Sequence, residues 1–236
     1  MRDIIKTSDY FNRYIQKELT KVIKREGLIN QVIAQRGEDD SVRMARLAVL
    51  NYRISILIAS YSLGEDINTI KQILSDTINQ IKKTSFTNRY VEMLWLVSLG
   101  ILLEIPNSEF EVLTEIVERD NLNDYLIGTL VLSRNKNQKH SKKTVKFPTP
   151  YNSFLDIIVA SDKSFAEKRL KQYLEKEWYK GHSDCGWYDT HKEKEDLYFG
   201  YWSFESAAVV KIMGLDDSSF KDIQYYPYDL AHWNKK

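Results

Sequence analysis

Residues 42–63 read VRMARLAVLNYRISILIASYSL. Val42, Ala45, Val49, Tyr52, Ile56, Ala59 and Leu63 recur at alternating spacings of three and four, which places them on one face of a helix. Leu47, Leu50, Ile54, Leu57 and Tyr61 form a second ridge beside the first. A helix with two apolar ridges needs cover on two sides, so the spacing predicts a central helix in a helical core. Gly64 follows as a stop, because glycine enters the left-handed conformation that ends a helix without a Cβ clash. Asp66 is the expected N-cap of the next helix, its carboxylate accepting from the first free backbone N–H groups.

The same periodicity extends to both sides of this segment. A helix is expected from Ser8 to about Arg36, with Phe11, Ile15, Leu19, Val22, Ile29 and Val32 inward and Gly27 as the place it would bend. Ile67, Ile70, Leu74, Ile78 and Ile81 predict another, and Tyr90 to Leu103, with Trp95 at its middle, a third that Pro106 ends. Shorter helices are expected over 108–118, 123–132, 151–160, 162–179 and 202–213. Only VLS at 131–133 and TVKF at 144–147 have any strand character. SLG at 62–64, SLG at 98–100 and MG at 213–214 suggest three helices that end alike. The expected fold is all-α, a multi-helix bundle of packed helical hairpins in two subdomains.

With 236 residues, 43% apolar and 12% aromatic, the chain is long enough for a substantial core and is not a disordered sequence. Its net charge of +1 gives no general argument for nucleic acid or membrane. The charge is uneven, however. Residues 134–150, RNKNQKHSKKTVKFPTP, carry six basic side chains and no acid, while the segments on either side are mildly acidic. The expected organisation is therefore an N-terminal subdomain over 1–133, a basic linker over 134–150 and a C-terminal subdomain over 151–236. A single cysteine, Cys185, excludes an intrachain disulfide and fits a reducing compartment. The start, MRDIIKTSDYF, has charge where a signal peptide needs its apolar centre. The longest apolar stretch, Met93 to Leu103, is far short of the ~20 residues that span a bilayer. A cytoplasmic protein is expected.

Several groupings have residue types that can carry chemistry. His182, Cys185 and His191, with Asp184 and Asp189 nearby, match no zinc spacing and read as a polar loop with one buried thiol, so no metal is expected. No G-x-S-x-G elbow and no Gly-rich phosphate loop occurs. Glu205 stands in the otherwise apolar run WSFESAAVV. It reads as an anion in the first turn of a helix, hydrogen-bonded by neighbouring tyrosines or a histidine. The alternative is an enzyme that uses Glu205 as acid or base, with Asp229 and the histidines. The basic linker offers a second alternative, a DNA-binding protein. Only Phe147 interleaves its charges, so a solvated hinge is the preferred reading. Asp184, Asp189, Glu193, Glu195 and Asp196, followed by Asp216 and Asp217, surround Trp187, Tyr188, Tyr225, Tyr226, Tyr228 and Trp233, all expected to be exposed. Acid beside Trp and Tyr suits a surface that binds a basic protein, and equally an ordinary solvated surface over aromatic packing.

The run YFGYWSFESAAVVKIMGLDDSSFKDIQYYPYDLAHW, Tyr198 to Trp233, strongly resembles the C-terminal signature of the PoNi family of bacterial immunity proteins. YVEMLWLVSLGILLEI, Tyr90 to Ile105, resembles that family's N-terminal domain, as does the first helix followed by the Arg43–Gly64 helix. The resemblance implies an all-helical inhibitor with no catalysis and no cofactor. Its partner would be a PoNe-type DNase toxin of the PD-(D/E)xK nuclease superfamily, delivered between competing bacteria, often by type VI secretion. The inhibitor would bind that toxin in the producer's cytoplasm, with no membrane and no direct nucleic-acid contact. Because the chain is near neutral and its linker basic, steering towards a basic nuclease would have to come from local patches. Asp184, Asp189, Glu193, Glu195, Asp196, Asp216 and Asp217 are the expected toxin contacts, and the Trp202–Met213 helix is expected to be scaffold.

Overall fold

The computed structural model describes residues 1–134 and 142–234, and among these the regular structure is helical, with no strand. Part of the expected linker, residues 135–141, lies outside the described residues. By contact the chain divides into two compact units, Met1–Ser85 with Asp189–Gly200, and Phe86–Tyr188 with Tyr201–Lys236. This division does not follow the linker expected from charge. Residues 86–133 belong with the C-terminal helices, and a short segment, 189–200, returns to the first unit.

The first unit is built on α1 (Ser8–Arg36), α2 (Asp40–Leu63) and α3 (Ile67–Ile81). As its two ridges require, α2 packs against both α1 and α3. Val42, Val49 and Ile56 meet Val22 and Ile29 of α1 in one buried cluster. The second ridge is buried too, through Leu50, Ile54, Leu57 and Tyr61. Asp39 caps α2 by accepting from the Val42 N–H, and Asp66 caps α3 by accepting from Asn68 and Thr69. Gly64 ends α2 at φ 101°, and a Cβ there would stand 2.8 Å from the Met1 backbone nitrogen. Both facts require glycine at this position.

Helix α1 departs from expectation at one position. Glu18, not Leu19, takes the inward place, with its carboxylate 2.6 Å from Lys21 Nζ, while Leu19 is 37% exposed. The returning segment is fixed through Tyr198. Its backbone N–H donates to the Tyr10 hydroxyl, which donates back to the Tyr198 carbonyl at 2.9 Å, and its own hydroxyl donates to Asp3.

The second unit contains α4 (Tyr90–Leu102), α5 (Asn107–Arg119), α6 (Tyr125–Arg134), α7 (Pro148–Tyr151), α8 (Ser153–Val159), α9 (Lys163–Gln172), α10 (Phe204–Met213) and α11 (Tyr228–His232). Nearly every side of α4 is apolar, and it is covered by α5, α6 and α10. That demand for cover explains why residues 86–133 sit with the C-terminal helices. Gly100 lies inside α4 rather than after its end. A Cβ there would meet Ile105 Cδ1 and Phe110 Cδ2 at 3.1 Å, so glycine admits the chain that turns into α5. The two stretches with strand character form no strand: 131–133 belongs to α6, and 144–147 is irregular, with the Thr144 carbonyl accepting from the Tyr125 N–H. After α9 the chain makes a π turn, Tyr173–Glu177, then short 3₁₀ turns.

Candidate protein-binding surface

Glu205 stands in the first turn of α10 and is fully buried. Trp178 donates its indole N–H to Oε1 at 2.7 Å, Ser203 its hydroxyl at 2.8 Å, and Tyr173 its hydroxyl at 3.2 Å. Oε2 is buried with no hydrogen-bond partner. Desolvation pushes the carboxyl up from 4.5 to about 7, against the pull of its own backbone N–H and of the Ser203, Trp178 and Tyr173 hydrogen bonds. Donors crowd one oxygen and the other is buried without a partner, so the acid stands in the core and away from any solute. The partners include a tyrosine, as the sequence implied, but a tryptophan and a serine take the place expected for a histidine.

Above this acid lies a nest of rings. Trp178 contacts Trp187 at 5.7 Å, His182 at 5.2 Å and Tyr225 at 4.9 Å between ring centroids. Tyr179 contacts Tyr188 at 4.6 Å and stacks on Tyr225 at 5.1 Å. His182 Nδ1 lies 2.6 Å from the Trp178 carbonyl, so it carries the proton and donates, leaving Nε2 to accept from the Tyr151 hydroxyl at 2.8 Å. Burial lowers His182 to about 4, which keeps the ring neutral. The aromatics expected to be exposed are instead half-buried or buried. Trp187, Tyr188 and Tyr225 pack on other rings, Tyr226 donates to Asp217, and Trp233 donates to the Leu102 carbonyl. The polar tips of Tyr226 and Trp233 thus find partners within the unit, and the other rings are covered by ring packing.

The expected toxin contacts divide between the units. Asp189, Glu193, Glu195 and Asp196 lie in the returning segment of the first unit, and Asp184, Asp216 and Asp217 in the second. Asp184, Glu193, Glu195 and Asp216 are exposed. Asp189 is half-buried and pairs with Lys192 at 2.8 Å, and the half-buried Asp196 gives its backbone carbonyl to Lys17. Asp217 differs from the rest. It is 2% exposed, and its carboxylate accepts from the Tyr226 hydroxyl at 2.6 Å and lies 2.8 Å from His232 Nε2. It ties the tail to α10 and offers nothing to a partner.

Of the residues with metal-ligand chemistry, His182 and Cys185 belong to the second unit and His191 to the first. Among the described residues no group of three or more His, Cys, Asp or Glu is placed to hold a metal. Two cations of the basic segment serve the fold, Arg134 donating to the Ile105 carbonyl and Lys146 to the Asn121 carbonyl. Among the described residues no helix is long and apolar enough to cross a membrane.

Two family models match the chain. The model for the N-terminal part of PoNe immunity proteins (PoNi) matches residues 2–115, and that for the C-terminal part matches residues 122–230. The chain belongs to the PoNe immunity protein family. Its fold is shared with a solved structure, protein PA2201 from Pseudomonas aeruginosa. The TM-score is 0.75 at 16% identity, over 98% of this chain and 89% of that one. No curated protein matches the chain. The two PoNi matches meet between 115 and 122, at the end of α5 and the turn after it, whereas the compact units divide at Ser85 and Phe86.

Proposed function

We propose that this chain is the immunity partner of a cognate antibacterial toxin, a PoNe-type DNase of the PD-(D/E)xK superfamily, and that it neutralises the toxin by stoichiometric binding in the producer's cytoplasm. The toxin would be one delivered between competing bacteria, as by type VI secretion. The observation that carries this reading is the match of both PoNi family models, which together take in nearly the whole chain. Binding rather than catalysis agrees with Glu205, whose buried carboxyl is held by three structural donors. The exposed carboxylates Asp184, Glu193, Glu195 and Asp216, with the partly covered Asp189 and Asp196, would steer a basic toxin during approach.

The test is protection. Cells that express the toxin encoded beside this gene should survive when this chain is co-expressed, and the two proteins should co-elute on a sizing column. Cells that die despite soluble immunity protein, with no shared peak, would overturn the reading.

A further inference from the structure

Steering charges set the rate of encounter more than the strength of the complex. A tight inhibitor also needs a concave anchor where a partner's side chains are desolvated. The first unit has such a concavity. A groove of about 520 Å³ is lined by Glu26, Ile29, Asn30 and Ile33 of α1, by Arg46, Val49, Leu50 and Arg53 of α2, and by the end of α3 with the residues that follow, among them Ile81, Lys82 and Lys83.

The groove has an apolar floor and a cationic rim. Ile29, Ile33, Val49, Leu50 and Ile81 supply the floor. Arg46, Arg53, Lys82 and Lys83 stand around it, and Arg46, Arg53 and Lys83 pair with carboxylates. Glu26 lies 2.6 Å from Arg53, and Glu38 lies 2.6 Å from Arg46 and 3.6 Å from Lys83. The guanidinium of Arg53 bonds Glu26 through Nη2, while its Nε–H is buried with no hydrogen-bond partner. Guanidinium groups bind carboxylates through strong charge-assisted hydrogen bonds, so the two arginines suit an entering carboxylate.

A second feature continues the groove. At helical spacing Leu19 and Ile23 share the edge of α1 that carries Glu26 and Asn30. Leu19 is 37% exposed and Ile23 71% exposed. The cationic groove thus runs into an open aliphatic edge. No aromatic side chain lines it, which argues against stacked bases and for a protein segment.

We infer that this groove docks an acidic segment of a protein partner, with a carboxylate seated between Arg46 and Arg53 and apolar side chains laid over Ile33, Val49 and Leu50 and along Leu19 and Ile23. The inference rests on the toxin-inhibitor reading for the partner's identity: the segment belongs to the toxin.

The test uses the full chain and a catalytically inactive form of the toxin encoded beside it, with affinity read by titration calorimetry. Two variants are compared with wild type, Arg46→Gln/Arg53→Gln in the groove and Ile23→Asp on the open edge. Ile23 is mostly solvated, so its variant should melt as wild type does. The double variant should bind about 100-fold more weakly and Ile23→Asp at least about tenfold more weakly. Two variants that bind as tightly as wild type would overturn the groove while leaving the inhibitor reading intact. A wild-type chain that does not bind the toxin would remove that reading, and the groove proposal with it. Anisotropy with a duplex oligonucleotide completes the design. Duplex binding by wild type that the double variant loses, with toxin affinity unchanged, would overturn the proposal in favour of nucleic acid.

Discussion

Trp178→Ala is expected to lower the unfolding free energy by about 3–5 kcal/mol, enough to remove much of the stability of an ordinary domain. Trp178 is fully buried, and its ring is a shared wall for Trp187, His182 and Tyr225. Truncation leaves a cavity that three other rings line and cannot easily close. It also removes the indole N–H that sits 2.7 Å from Glu205 Oε1. The two effects separate in Trp178→Phe, which keeps most of the volume and loses the donor. That variant should cost about 1–3 kcal/mol, the range for removing one partner of a buried hydrogen bond. Urea unfolding followed by near-ultraviolet circular dichroism reads both. A Trp178→Phe protein as stable as wild type would mean that the indole contributes packing alone.

The second large effect is a pair of opposed pH dependences in the same unit. The Glu205 carboxyl is raised from 4.5 to about 7 by burial. In that interval the native state keeps a proton that the unfolded chain has lost. The stabilisation is therefore complete below pH 4.5 and is lost as pH rises to about 7. His182 is lowered from 6.5 to about 4, again by burial. There the unfolded chain holds a proton that the native ring refuses. This contribution is present above pH 6.5 and is lost as pH falls towards 4.

Across pH 4.5–6.5 the two slopes cancel, so these two groups leave wild-type stability nearly level. Glu205→Gln should leave stability rising with pH, and His182→Gln should leave it falling, each by about 3 kcal/mol over that window. Tyr173 and Tyr151, which face the two groups, are both raised by burial and stay neutral throughout. Urea midpoints from pH 4.5 to 6.5 measure the slopes, and two variants that share the wild-type profile would contradict this account.

The long helices were legible in the sequence because several turns of regular spacing leave little freedom, as α2 shows with its two ridges and its Asp39 and Gly64 ends. Periodicity is weaker at adjacent positions. It does not separate Glu18 from Leu19, because a glutamate beside Lys21 can face inward once its charge is paired. The unit boundary was hidden for a different reason. The return of residues 189–200 depends on Tyr198 meeting Tyr10 and Asp3, contacts between positions nearly the whole chain apart.

The candidate surface divided in the same way. Glu205 was legible as a structural acid from its place in an apolar first turn. Asp217 was not distinguishable from Asp216, since only Tyr226 and His232 reveal which of the two is buried. The cationic groove was invisible in sequence. Its residues come from three segments, and Arg46 and Arg53 look like ordinary solvated positions on an amphipathic helix.

If this PoNi-family chain inhibits its toxin by binding it, titrating the purified chain into the active toxin encoded beside it, with plasmid cleavage as the readout, gives a stoichiometric endpoint. Cleavage should fall linearly and vanish at equimolar inhibitor, as expected for a Kd of about 10 nM or tighter. Cleavage that persists at a large molar excess of folded inhibitor would contradict the account.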